Sequence, residues 1–282
     1  MKITILGNGY IAGYLESYLQ KKHGVTIIAR SCMNYGDKNV LNEYLRYERS
    51  DIVFGAFGFT GKPNIDEAEK KKDLCWSLNV QDPLKVCSVC ADMKIPFVHI
   101  SSGCIFNGYA KEWEDTDNPN FGLFDHSSFY SKTKHAFEML SSDLPGSIIR
   151  IRMPFSGCRS ERNYLVKISK YKKLIDCMNS RTCVEDLCEA MVLMTDDGTF
   201  MTRDIRQIFH IVNPNPLLTS SICAIASQIV NCFRDTEFVE ESRLNLAAPR
   251  SNCILSLSNH PHIANMPDEV YSIKKCVRGA LS

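Results

Sequence analysis

The sequence predicts an α/β fold: a doubly wound parallel sheet of the Rossmann type, with a smaller second region interleaved among its last elements. Short apolar runs recur through the first half of the chain, amphipathic segments separate them, and a Gly-rich loop follows the first run. Strands covered by helices on both faces read as continuous apolar runs, and regular strand–helix alternation makes the strands parallel.

The first run, Ile3–Leu6, leads into Gly7-Asn-Gly9-Tyr-Ile-Ala12-Gly13 and a helix expected over residues 10–22. Val25–Ala29 follows as the second strand, then a helix over 38–49 and the third strand, Ile52–Ala56. Charged positions among apolar ones predict helices over 65–72 and 78–94, ahead of the strand Phe97–Ile100. A helix over 129–142 and the strand Ile148–Ile151 complete the alternating series. Beyond Pro154 the pattern is irregular: a basic stretch from Lys167 to Lys173, a helix at Val184–Met194, a strand at Ile208–Val212 and the turn Asn213-Pro-Asn-Pro216.

Composition narrows the classes. The 282 residues suffice for a large core, and 33 basic against 32 acidic residues leave a net charge of +1, so neither nucleic acid nor a membrane surface is expected as a partner. No apolar run approaches the roughly 20 residues that span a bilayer. Met1-Lys-Ile-Thr-Ile-Leu6 gives way to the Gly-rich loop too soon for a secretory signal. The 13 cysteines are odd in number and scattered through a long chain, which points to a reducing, cytoplasmic setting. Cys87-Ser-Val-Cys90 has redox or metal spacing but sits in a helix-like run without a second pair, so it reads as buried helix cysteines, and no metal site is expected.

Because the Gly-x-Gly-x-x-Ala loop lies between a strand and a helix, it fits a dinucleotide diphosphate. Gly7 permits the tight turn and Gly9 a close backbone approach, Ala12 allows helix–strand packing, and the phosphates meet the N–H groups of Tyr10 and Ile11 at the helix N-terminus. Arg30 stands after the second strand, where an NAD site usually carries a carboxylate; a cation there suits a 2′-phosphate or is a solvated surface charge. NADPH is therefore expected, with NADH possible. Ala56 and Gly58, at the end of the third strand, would bring backbone close to the cofactor riboses. Residues 1–153 are thus expected to form an NADP-binding domain to which elements near 183–212 return, and 154–282 mainly a substrate-binding region.

The strand at Phe97 ends in Ser101-Ser-Gly-Cys104, and Tyr130-Ser-Lys-Thr-Lys134 follows about thirty residues later. On a helix, positions i and i+4 share a face, so the Lys134 charge is expected to act on the Tyr130 phenol and lower its pKa. Ser102 is placed to hydrogen-bond a substrate carbonyl; His99 reads as strand packing. Together Ser102, Tyr130 and Lys134 resemble the triad of the short-chain dehydrogenase/reductase superfamily, in its extended, sugar-nucleotide-acting branch.

A more specific resemblance runs through Gly58-Phe-Thr-Gly-Lys-Pro-Asn-Ile-Asp66, Ser102-Gly-Cys-Ile-Phe106, Ser128-Phe-Tyr-Ser-Lys-Thr-Lys134, Arg150-Ile-Arg-Met-Pro154, Arg162-Asn-Tyr-Leu-Val-Lys-Ile168 and Ala248-Pro-Arg-Ser-Asn252. These blocks resemble the bifunctional 3,5-epimerase/4-reductases that complete UDP-L-rhamnose synthesis in plants and some large DNA viruses. Ile65-Asp-Glu-Ala-Glu69 and the triad are similar, more distantly, to dTDP-4-dehydrorhamnose reductases. The first loop is one residue shorter than that family's Gly-x-x-Gly-x-x-Gly, which leaves the exact phosphate contacts open. The resemblance implies a nucleotide 4-keto-6-deoxy sugar made by a separate 4,6-dehydratase, a cytoplasmic location (host cytoplasm for a viral protein), and an epimerase acid/base pair at Cys104 and Lys167. Read without it, Cys104 is a buried strand cysteine and Lys167 a solvated lysine.

Thr60, Lys62 and Asn64 lie just past a strand end, where a sugar contact or a polar turn explains them. Asn163 would share a helical face with Lys167, and Arg250 would meet a pyrophosphate or form a surface salt bridge. The acidic loop Asn107–Ser127, with Trp113, Phe121 and Phe124, either closes over the sugar or packs on the surface. A reductase acting without the epimerase step and a non-catalytic NADP-binding subunit are the rival readings, and a homodimer is compatible with all of them.

Overall fold

A computed structural model describes residues 1–123 and 125–282; Phe124 lies outside the described residues. In chain order the first part comprises β1 (Lys2–Leu6), α1 (Tyr10–Leu19), β2 (Gly24–Ile28), α2 (Lys38–Glu48), β3 (Ile52–Gly55), α3 (Asp66–Lys70), α4 (Lys72–Trp76), α5 (Asp82–Asp92), β4 (Phe97–Ser102), β5 (Gly108–Trp113), α6 (Phe129–Leu140) and β6 (Gly146–Ile151). There follow α7 (Tyr164–Ile168), β7 (Lys173–Ile175), β8 (Met178–Asn179), α8 (Val184–Asp196), β9 (Arg206–His210), β10 (Leu217–Leu218), α9 (Thr219–Ile229), β11 (Glu237–Val239), β12 (Cys253–Leu255), α10 (Pro261–Ala264) and α11 (Glu269–Leu281).

Six of the strands form one parallel sheet in the order β2-β1-β3-β4-β6-β9. Alternation along each strand divides its side chains between two helix layers. Ile3, Ile5, Ile52, Phe54, Val98 and Ile100 pack against Ala12 and Leu15 of α1 and Leu187 and Met191 of α8. Leu6, Val53 and Phe97 meet Leu41 and Leu45 of α2 and Val86 and Cys90 of α5 on the other face. Chain order reverses across β1, whose neighbours are β2 and β3, and this topological switch opens a crevice beyond the carboxyl ends of the strands.

The single helix expected over 65–72 is two short ones, α3 and α4, because Lys71 leaves helical geometry at φ −123°, ψ 50°. The next expected helix begins with a π-helical turn, Ser77–Gln81, before Pro83 opens α5. Ser128 caps α6, its hydroxyl accepting from the Ser131 N–H at 3.1 Å.

Residues 155–182 and 217–281 contribute a second core, with Phe155, Leu165, Ile222, Ile273 and Val277 buried together. Arg181 crosses it to Glu269 at 2.8 Å, both side chains fully buried. Among the described residues no helix is long and apolar enough to cross a membrane.

Candidate active site

The crevice is a cleft of about 760 Å³ between the sheet's carboxyl edge and the second region. One wall begins where β1 ends. Gly7 takes φ +102°, and a Cβ there would lie 2.6 Å from the Ala56 carbonyl oxygen, so only glycine lets these two loops touch. Helix α1 starts at Tyr10 behind Gly9, which supplies no capping side chain, and its first N–H groups have no partner within the helix. A Cβ on Gly9 would meet nothing within 4 Å, so space lies open before those donors. Ile11, Ala56 and Gly58 line the same wall, and the Tyr10 hydroxyl donates to Ser156 Oγ at 2.6 Å. Free N–H groups at a helix start, facing open space beside two close-packed loops, fit the diphosphate of a dinucleotide.

Arg30 lines the cleft but is not free. Its guanidinium bonds the Asp82 carboxylate and lies 4.7 Å from the centre of the Tyr35 ring.

The floor is built by β4 and α6. Ser102 ends β4, and its hydroxyl accepts from the Cys104 N–H at 3.3 Å, so the serine that faces the cleft also shapes the turn presenting Cys104. Tyr130 and Lys134 lie one turn apart on α6, 8% and 4% exposed. The Lys134 ammonium is 6.0 Å from the centre of the Tyr130 ring, with no hydrogen bond to any described residue.

The expected lowering of the Tyr130 pKa is not what the geometry gives. Burial pushes the phenol well above its ordinary value, the nearby Cys104 adds to this, and the Ser102 hydroxyl opposes it. Lys134 is itself pushed down by burial, so its charge does not override that desolvation. Burial raises the Cys104 thiol, against hydrogen bonds from Ser102 and Ser131. Tyr130 and Cys104 therefore both keep their protons near neutral pH.

Lys167 reaches the cleft from α7. Burial, then the neighbouring Arg162, push its amine down to about 8, and it makes no hydrogen bond to a described residue. Thr60 and Asn64 also line the cleft; Thr60 Oγ1 accepts from Arg162 at 2.6 Å, while Asn64 Oδ1 accepts from the Asp66 N–H at 2.9 Å. Arg250 faces the cleft with both terminal nitrogens on Asp66, at 2.7 and 3.1 Å.

Two expected contacts are corrected. Lys62 is an exposed side chain 3.5 Å from Glu161, outside the cleft lining. Asn163 is fully buried as the α7 cap: it accepts from the Leu165 N–H at 3.0 Å and donates to Ser156 and Cys158 carbonyls at 2.8 Å, which leaves no group for a ligand. The loop after Asn107 packs on the surface, with Trp113 stacked on Phe106 at 5.2 Å and Phe121 buried. Phe124 of that loop lies outside the described residues.

Three residues escaped the sequence reading. Buried Asn79 accepts from the Phe59 N–H at 2.7 Å and donates to Thr133 at 3.0 Å, tying the loop after β3 to α6. Its partners are 20 and 54 residues away, and no local pattern signals it. Arg152 is 3% exposed at the cleft floor and bonds Gly103 O, Ser251 and Asn179, with no carboxylate partner among the described residues. Arg152 and Arg162 both stood in the blocks that carried the resemblance. With Arg30, Lys134, Lys167, Lys173 and Arg250 they make seven cationic side chains around the cleft, and among the described residues no Asp or Glu lines it.

The model of the RmlD substrate-binding domain matches residues 1–260. The chain belongs to the RmlD substrate-binding-domain family. It is 30% identical over 269 residues, 89% of its length, to the trifunctional UDP-glucose 4,6-dehydratase/UDP-4-keto-6-deoxy-D-glucose 3,5-epimerase/UDP-4-keto-L-rhamnose-reductase of Arabidopsis thaliana, and spans only 38% of that protein. It is also 30% identical to the Arabidopsis bifunctional dTDP-4-dehydrorhamnose 3,5-epimerase/dTDP-4-dehydrorhamnose reductase, covering 86% of this chain and 81% of the relative. In fold it matches the UDP-rhamnose synthase of Acanthamoeba polyphaga mimivirus, at a TM-score of 0.86, 24% identity and 99% coverage of both chains. The dTDP-4-dehydrorhamnose reductase of Bacillus anthracis, solved with NADP, superposes at 0.80 with 17% identity and 98% coverage of each.

Proposed function

We propose that this protein reduces the C4 ketone of a nucleotide 4-keto-6-deoxy sugar with NADPH, and that it first inverts C3 and C5, converting UDP-4-keto-6-deoxy-D-glucose to UDP-L-rhamnose. The observation that carries this is the convergence of Ser102, Cys104, Tyr130, Lys134 and Lys167 on one cleft lined by cations and, among the described residues, by no carboxylate. Two diphosphates, one on the cofactor and one on the sugar nucleotide, suit such a lining.

When bound, NADPH supplies the hydride to C4. Gly9, Tyr10 and Ile11 would hold its diphosphate and Gly58 with Lys134 the nicotinamide ribose; a Cβ on Gly58 would lie 3.5 Å from Lys134 Nζ. Tyr130 and Ser102 donate hydrogen bonds to the C4 oxygen, and Tyr130, protonated at neutral pH, delivers the proton that completes the alcohol. Lys134 then lies beside the tyrosinate.

For epimerisation the C4 ketone acidifies the hydrogens at C3 and C5. Neutral Lys167 removes a proton from one face, the electron pair moves onto the C4 oxygen, and the Tyr130 and Ser102 donors stabilise the enolate. The Cys104 thiol returns a proton to the opposite carbon face. An amine near 8 and a raised thiol support this division into base and acid.

The test is NADPH oxidation with enzymatically prepared UDP- and dTDP-4-keto-6-deoxy-glucose, with products identified by NMR. UDP-L-rhamnose is the expected product. Absence of deuterium at C3 and C5 in deuterated water, with oxidation of NADPH by the already epimerised 4-keto-rhamnose, leaves a reductase without epimerase activity, and no oxidation with any of these sugars leaves a binding protein.

A further inference from the structure

Away from the cleft, Cys183, Glu185 and Cys276 bring two thiols and a carboxylate together, the cysteines 93 positions apart in sequence. We propose that these three side chains hold one zinc ion, with a water as fourth ligand. This departs from the sequence expectation of no metal site, which weighed only the local spacing of Cys87 and Cys90.

The geometry is that of a tetrahedral site's face. With zinc–sulfur bonds of 2.3 Å and zinc–oxygen bonds near 2.1 Å, tetrahedral angles put the two sulfurs about 3.8 Å apart and each sulfur about 3.6 Å from the oxygen. The Sγ–Sγ distance is 3.8 Å, and Glu185 Oε2 lies 3.3 Å from Cys183 Sγ and 3.9 Å from Cys276 Sγ. A two-thiolate, one-carboxylate set selects a borderline-soft divalent ion over magnesium or calcium.

The surroundings fit as well. The other carboxylate oxygen, Glu185 Oε1, is held by the Gly157 N–H at 2.8 Å and faces the Tyr14 hydroxyl at 3.4 Å, which aims Oε2 at the sulfurs. Cys183 sits at the N-cap of α8, which fixes its sulfur at the start of a buried helix. Each thiol's hydrogen-bond contacts among the described residues are the other thiol and Glu185. Both cysteines are buried while Glu185 is half-exposed, so the ion enters from the carboxylate side. Binding displaces two thiol protons to solvent, and two thiolates plus one carboxylate leave the loaded site with one net negative charge. Lys275, adjacent in sequence to Cys276 and 3.6 Å from Asp186, balances that buried carboxylate, so the loaded site keeps its one net negative charge. The ion would join α8 to α11 and, through Glu185, to the back of α1.

The experiment uses the full chain, reduced and stripped of metal, titrated with Co²⁺ and then Zn²⁺. The expected result is one equivalent of cobalt with thiolate-to-metal charge-transfer and tetrahedral d–d absorption, displaced by one equivalent of zinc. Cys276→Ser should weaken binding by roughly 100-fold or more, and Glu185→Gln by about 10-fold or more, whereas Cys188→Ser, a buried cysteine of α8 outside the cluster, should bind as wild type. Zinc should raise the unfolding temperature of wild type and not of Cys276→Ser. Wild type without the cobalt band, or a band that survives unchanged in Cys276→Ser, overturns the proposal. So does a Cys183–Cys276 disulfide that forms in air despite saturating zinc. None of these readouts depends on reductase activity.

Discussion

Lys167 and Cys104 divide the proposed epimerisation between a base and an acid, and pH separates them. With its amine pushed down to about 8, Lys167 is neutral in about one molecule in eleven at pH 7, against about one in three thousand for an ordinary lysine. Burial and the Arg162 charge thus raise the population of competent base about 300-fold. Deuterium wash-in at C3 and C5 of the keto sugar, followed by mass spectrometry without NADPH, should climb about tenfold per pH unit below about 8 and then level. It should fall again only where the raised Cys104 thiol ionises, above the ordinary thiol range. Lys167→Met should abolish wash-in while leaving reduction of the already epimerised 4-keto-rhamnose within a few-fold. Arg162→Met should shift the rising limb to higher pH, because removing the neighbouring charge raises the amine. Wash-in that keeps climbing tenfold per unit to pH 10, or that survives Lys167→Met, would refute the assignment.

Arg30→Ala should lower the preference for NADPH over NADH by about 10- to 100-fold, the worth of a charge-assisted phosphate contact, and Asp82→Asn should raise it by releasing Arg30; kcat/KM with each cofactor is the measurement. Asn79→Ala takes the partner from both the Phe59 N–H and the Phe59 carbonyl and should destabilise by about 2 kcal/mol or more in urea unfolding, with a higher KM for NADPH because the loop after β3 loosens. Arg181→Met leaves the Glu269 carboxylate buried alone and should cost about 3–5 kcal/mol, whereas Arg181→Met combined with Glu269→Leu should recover much of that loss.

What could be read from the sequence was what local pattern encodes. The five apolar runs before Pro154 each became a strand of the main sheet: four are buried along most of their length, which carries its own signature, and β2 is the half-exposed edge strand. The Gly7 turn and the i, i+4 placement of Tyr130 and Lys134 were equally local. Lys62 and Asn163 were misplaced because a polar residue in a turn reads alike whether it faces a ligand, caps a helix or points to solvent. Arg30 carried the right charge for a phosphate, but its partner Asp82 stands 52 residues away and nothing near Arg30 announces it. The Tyr130 phenol moved the opposite way to expectation because the sequence displays its neighbours and not its depth: desolvation is a property of the assembled core.

The cationic cleft has a consequence for the molecule's outer surface. Seven of the 33 basic residues line it, and Asp82 and Asp66 neutralise two of them, Arg30 and Arg250; the remaining 26 basic residues face 30 acidic ones elsewhere, so a nearly neutral chain carries a local excess of positive charge at its cleft. Anionic small molecules are drawn to that opening. The encounter rate with a doubly charged ligand should therefore fall as salt rises, even though the net charge alone would forecast indifference.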